Sequence, residues 1–103
     1  MLSNESKELS ELLIVNGLRI SVAESCTGGS FSQAITSIPG ASSYFDCGYI
    51  TYSNQSKVDM LGVEVQTIKT YGAVSEEVAL EMVIGVSNRS HCCLLYTSDA
   101  ADE

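Results

Sequence analysis

The first residues that could do chemistry are Glu24-Ser25-Cys26-Thr27-Gly28-Gly29. They follow an alternating run from Leu18 to Ala23 and precede Phe31, Ala34, Ile35 and Ile38, which share a helical face. A strand, a glycine turn and a helix in that order let a ligand approach the backbone, and the free N–H groups of the helix start attract anions. Hydroxyls of Ser25 and Thr27 would add donors. The plain alternative is a tight turn with a capped helix, and the residues alone favour it. No Gly-Lys-Ser/Thr follows, so this is not a Walker loop. The four cysteines, Cys26, Cys47, Cys92 and Cys93, show no CxxC or Cys/His ligand spacing, so no metal site and no metal cofactor are expected. Cys26 reads as a small buried thiol rather than a nucleophile.

Several elements must position this turn. Residues 4 to 16 read as a helix with Leu9, Leu12 and Leu13 on one face and Gly17 as its stop. Leu18 to Ala23 alternates as a strand, and the helix after the glycine turn ends at Pro39-Gly40. Tyr44 to Tyr52 reads as a second strand. A polar turn at Ser53 to Lys57 then opens a short helix through Met60, closed by Gly62. Val65 to Thr70 suits another short helix. Ser75 is a natural N-cap, with Glu76 and Glu77 favouring the positive end of the dipole. Val78, Ala79, Met82, Val83 and Val86 would form the buried face of a longer helix. Strands alternating with helices predict an α/β fold, layered α/β/α around a partial parallel sheet. Only two strands are expected, a thin sheet with an edge that wants a partner.

Charge narrows the function classes. The 103 residues carry a net charge of −8, and Lys7, Arg19, Lys57, Lys69 and Arg89 are scattered. Nucleic acid and anionic membrane both require clustered cations, so neither is expected as a partner. The polar, acidic N-terminus lacks a signal-peptide pattern, and no apolar run reaches the length of a membrane span. A cytoplasmic protein with reduced thiols is the expectation.

Five segments recur in a familiar order: AESCTGG from Ala23 to Gly29, GASSYF from Gly40 to Phe45, GYITYSNQSK from Gly48 to Lys57, MLGV from Met60 to Val63, and YGAVSEEVALEM from Tyr71 to Met82. In that register, over roughly residues 5 to 86, the chain resembles the CinA C-terminal domain family, whose stand-alone members are nicotinamide-nucleotide amidases. The resemblance implies hydrolysis of nicotinamide mononucleotide to nicotinate mononucleotide and ammonia, a pyridine-nucleotide salvage step in bacterial NAD metabolism. It implies a serine and a lysine without metal or cofactor, a small pyridine nucleotide as partner, and homo-oligomers. The positions matching the family's catalytic groups are Ser25, Ser42, Tyr52 and Lys57. Ser42 is expected as nucleophile with Lys57 as its base, and the rival assignment gives Ser25 the attack. Thr27, Gly28, Gly29 and Asn54 are the substrate-binding candidates.

The implied chemistry suits these residue types. A serine attacking an amide must lose its proton, and a lysine can take it only when neutral. The tetrahedral intermediate needs donors, for which the N–H groups near Gly28 and Gly29 or the Tyr52 phenol are candidates. The same turn could instead hold the substrate phosphate. Each residue also has a plainer role: Lys57 as a solvated charge, Ser42 as a turn residue, Tyr52 as a strand aromatic, Asn54 as a cap.

The family continues beyond this chain with another strand, a TGIAGP-like loop, further strands and a closing helix. Residues 1–88 are therefore expected to be the N-terminal part of an amidase domain, marginally stable and of little or no activity. Residues 89–103 are expected to be a non-native or disordered tail, because CLLYTSDAADE resembles translated sequencing-adaptor read-through. The competing function is a non-catalytic nucleotide-binding or assembly module of a competence- and damage-inducible protein.

Overall fold

The computed structural model describes residues 4–25 and 27–90 and the backbone of 94–98; Cys26 and residues 1–3, 91–93 and 99–103, with His91, Cys92 and Cys93 among them, lie outside the described residues. Helix α1 spans Asn4–Asn16 and strand β1 spans Ile20–Glu24, joined by Gly17 at φ 64°. Leu13 is buried and Leu9 packs beside it, whereas Leu12 is 60% exposed. The expected three-leucine face is thus corrected. Adjacent helical residues point about 100° apart, so Leu12 and Leu13 cannot both face one narrow seam.

Helix α2, Ser30–Thr36, leads through a 3-10 turn at Ala41–Ser43 to strand β2, Phe45–Ile50. Three helices follow: α3 at Asn54–Leu61, α4 at Val65–Tyr71 and α5 at Glu76–Arg89. Ser75 caps α5 as expected, its hydroxyl accepting from the Val78 N–H at 3.2 Å. Its buried face is Val78, Met82, Gly85 and Val86; Ala79 and Val83 are only partly covered. Ser53, rather than Asn54, caps α3 and accepts from the Ser56 N–H at 3.1 Å.

Strand β1 is central and all five of its residues are buried. It pairs in parallel with β2, through a register shift that leaves Asp46 unmatched between Ile20↔Phe45 and Ser21↔Cys47. On its other side it pairs in parallel with β3, Leu94–Ser98. This third strand adds to the two expected from the sequence. An open central strand offers a row of unpaired backbone groups, and a β-prone stretch after α5 can satisfy them.

The sheet order β2-β1-β3 explains the layers. The β1-to-β2 connection steps one way and the β2-to-β3 connection steps back across β1. Right-handed crossovers running in opposite directions lay their helices on opposite faces. One core accordingly joins Ile20 and Val22 to Leu13, Ile35 and Tyr44, the α1 and α2 side. The other joins Ala23 to Leu61, Val63, Val78, Met82 and Val86, the α3 and α5 side. The fold is α/β with a layered α/β/α arrangement. No helix among the described residues is long and apolar enough to cross a membrane.

Candidate functional site

The carboxyl ends of parallel strands are where ligands bind in open α/β sheets, because loops and helix starts converge there. At this edge β1 runs into the Ser25 turn and β2 runs into Thr51, Tyr52 and the start of α3. A bond from Thr51 N–H to the Glu24 carbonyl, 2.8 Å, carries the ladder past its last pair, Glu24↔Ile50. Ser25 is thereby held beside Thr51. It is 3% exposed and continues the face of Ser21 and Ala23, which α3 and α5 cover.

Lys57 reaches the same place from the opposite direction. It sits in the first turn of α3, and helical side chains lean toward the N-terminus of their helix. Its ammonium therefore points back to the strand end and donates to the carbonyls of Thr51, 3.2 Å, and Tyr52, 3.4 Å. Lys57 is 2% exposed, so it is not the solvated charge that lysine usually is. Burial withdraws water from the ammonium, and the two carbonyls replace part of that hydration.

Ser42 is placed elsewhere. It lies in the 3-10 turn that enters β2, exposed, with its carbonyl accepting from Arg19 at 3.1 Å. The same guanidinium also holds the carbonyls of Ser43 and Phe45 and sits 3.6 Å from Asp46. Ser42 and Lys57 therefore stand at opposite ends of β2, whose six residues span about 20 Å at about 3.3 Å each. Within this chain the expected Ser42–Lys57 dyad is not assembled; Ser25 and Lys57 share an edge instead. Tyr52 is at that edge, 67% exposed, and Asn54 is exposed in the first turn of α3.

The glycine turn differs from the expected anion cradle. Gly28 and Gly29 take φ of 65° and 102°, which a residue with a β-carbon adopts only under strain. The N–H groups at the start of α2 are occupied, however. Glu24, fully buried, accepts from Phe31 N–H at 2.9 Å, Ser32 N–H at 2.8 Å and the hydroxyls of Thr27 and Ser32. Burial alone would raise its pKa, but these donors outweigh that and hold it below the ordinary carboxylate value. An ionised carboxylate therefore fills the position a phosphate would take at α2, and the Thr27 hydroxyl is spent on it. The Phe31 and Ser32 N–H groups and the Thr27 hydroxyl are thus committed to Glu24, while Gly28 and Gly29 stand beside Ser25 in sequence.

Glu24 and Thr51 are the residues of this edge to which the motifs assigned no role. Glu24 stands inside the AESCTGG segment, and an acid at the end of a fully buried strand is the available signal. Thr51 gave none. Two of the clefts among the described residues miss the Ser25–Lys57 pair, although Asn54 lines the second. One of about 250 Å3 is lined by Leu61, Glu64, Glu81 and Gly85 among others. The other, about 210 Å3, lies between α3 and α4 around Val58, Ile68 and Lys69. Neither includes Ser25, Thr51 or Lys57. Among the described residues no three His, Cys, Asp or Glu side chains gather as a metal-ligand group.

Fold and turn together define a layered parallel α/β protein with a glycine turn at the carboxyl edge of its sheet. A sequence profile of the CinA C-terminal domain matches residues 3–94, and the chain belongs to that family. It is 55% identical over 80 residues to a putative competence-damage inducible protein of Caldicellulosiruptor saccharolyticus, covering 78% of this chain and 20% of that protein. Against the nicotinamide-nucleotide amidohydrolase PncC of Enterobacter agglomerans it is 49% identical over 81 residues, 79% of this chain and 49% of the relative. The solved structure of competence/damage inducible protein CihA from Agrobacterium tumefaciens matches with a TM-score of 0.81 at 43% identity, over 89% of this chain and 58% of that one. The chain thus spans from about a fifth to about half of the length of these curated relatives.

Proposed function

We propose that the Ser25–Lys57 edge belongs to an amidohydrolase acting on the carboxamide of nicotinamide mononucleotide. The observation that carries this reading is the burial of Lys57 with its Nζ on the Thr51 and Tyr52 carbonyls, Thr51 being the residue whose N–H bonds to the carbonyl preceding the buried Ser25. The 49% identity to a protein named nicotinamide-nucleotide amidohydrolase supports the substrate class.

In this reaction Lys57 acts as the neutral amine, and its Nζ lone pair takes the Ser25 hydroxyl proton as Oγ bonds to the carboxamide carbon and the carbonyl electron pair moves onto oxygen. Collapse of that intermediate breaks the C–N bond, and the lysine proton leaves with the ammonia. Water then adds to the ester with Lys57 again taking the proton, and Ser25 regains it as the carboxylate departs.

The test is ammonia release from nicotinamide mononucleotide by the purified chain and by Ser25→Ala, Ser42→Ala and Lys57→Ala. Loss in the Ser25 and Lys57 variants with retention in Ser42→Ala is expected. Loss in Ser42→Ala with retention in Ser25→Ala would overturn the assignment of the attacking hydroxyl. A second reading, a non-catalytic module, is favoured by the competence-damage names of relatives of which this chain covers a fifth. Binding of the nucleotide without any ammonia release would select it.

A further inference from the structure

Thr51 is fully buried, and its Oγ1 is a buried side-chain atom with no hydrogen-bond partner among the described residues. Other hydroxyls at this edge are paired: those of Thr27 and Ser32 both donate to Glu24. A buried hydroxyl without a partner destabilises the fold, and such groups call for a role beyond packing. Packing does not require it, since valine has the same β-branched shape without the polar atom.

Its surroundings indicate the role. Ala23 pairs with Tyr49 and Glu24 with Ile50, and the Thr51 N–H bond to the Glu24 carbonyl sets Thr51 alongside Ser25. By that alternation both residues fall on the face covered by α3 and α5, where Tyr49 packs against the Ala23 core. The Thr51 carbonyl itself accepts from Lys57 Nζ at 3.2 Å. A partnerless hydroxyl, a buried serine and a buried lysine therefore converge at one strand end.

We propose that the Thr51 hydroxyl is a substrate-contacting donor, pairing with the carboxamide oxygen of a substrate held at Ser25; this rests on the amidase reading above. Rotation about χ1 exchanges the positions of the threonine methyl and hydroxyl, so the donor can be turned toward Ser25 without a change of backbone. As Ser25 attacks and the oxygen gains negative charge, the bond strengthens, which places its benefit in the transition state.

Two variants test this, Thr51→Val and Thr51→Ser, each compared with the unaltered chain for melting temperature and for ammonia release from nicotinamide mononucleotide. Thr51→Val should melt at or above the parent temperature while kcat/KM falls on the order of 10²-fold, the usual loss for one such donor. Thr51→Ser, which keeps the hydroxyl, should retain kcat/KM within a few-fold. Parental activity in Thr51→Val overturns the proposal and leaves the amidase reading intact. A markedly lower melting temperature in Thr51→Val also overturns it, because the hydroxyl then has a structural partner. No ammonia from the unaltered chain sinks the amidase reading and this inference with it.

Discussion

An alanine at position 85 would place its β-carbon 2.1 Å from the Leu61 carbonyl oxygen and 2.9 Å from Leu61 Cβ. Gly85 lies inside α5, and Leu61 is the last residue of α3, so this glycine sets how closely the two helices approach. Ordinary contact begins near 3.4 Å, and α3 and α5 would have to part by more than about 1 Å. Two effects compete. Alanine inside a helix is favoured over glycine by about 1 kcal/mol. Overpacking costs about 1–3 kcal/mol, and more where the obstacle is backbone rather than a side chain that can rotate. The obstacle here is a backbone carbonyl, and the moved residues, Leu61, Val63, Val78, Met82 and Val86, form one buried cluster. Steric cost should win, leaving Gly85→Ala less stable by about 2 kcal/mol. For a domain of this size that lowers the melting temperature by roughly 10 °C. Thermal unfolding followed by circular dichroism reads it directly. A variant that melts at or above the parent temperature would show that α3 yields freely and that helix propensity governs the site.

Other perturbations probe separate parts of the edge. Glu24→Gln should destabilise by about 1–3 kcal/mol at neutral pH, because an amide cannot accept from all of the donors that the carboxylate satisfies. Its depressed pKa means that Glu24 stabilises fully above the ordinary glutamate value of 4.5 and loses that contribution as pH falls through its lower folded value. The melting temperature of the parent should therefore drop on acidification below that value, and the Glu24→Gln profile should be flatter; parallel profiles would refute the ionised assignment. Lys57→Met keeps the buried stem and removes the charge, so stability should hold or rise while ammonia release falls at least about 10²-fold. Unfolding of that variant at ambient temperature would make Lys57 a structural cation. Ser75→Ala removes a cap bond and should cost about 1 kcal/mol in urea unfolding, with no change in the dependence on denaturant.

Much of the fold was legible because local periodicity was clear. The order from α1 to α5 follows from alternation at Leu18 to Ala23, helical spacing at Phe31 to Ile38, and turn residues at Gly17, Pro39-Gly40 and Gly62. Ser75 as a cap needed only its neighbours. Facts that depend on the third dimension were harder to read. Spacing of i, i+3 and i+4 groups Leu9, Leu12 and Leu13, although only Leu13 of the adjacent pair is buried. The β3 strand offers too short a run, after a non-helical break, for periodicity to claim it. Ser42 and Lys57 are fifteen positions apart in register with their family motifs, but a strand between them sends them to opposite edges. Burial of Lys57 could not be foreseen from residue type, which favours exposure. Its position emerged only when helix direction and the Thr51 and Tyr52 carbonyls were known.

The carboxylate that closes α2 also affects motion. A helix of seven residues has no stability of its own in water, since nucleation is unfavourable and few bonds follow. Here a single side chain from β1 binds the helix start and the Thr27 hydroxyl at once. The glycine turn and α2 should therefore open and close together as one cooperative segment, distinct from the α3–α5 side. In hydrogen exchange their amides would share one opening free energy, and protonating one carboxyl group would release the whole segment rather than fray it residue by residue.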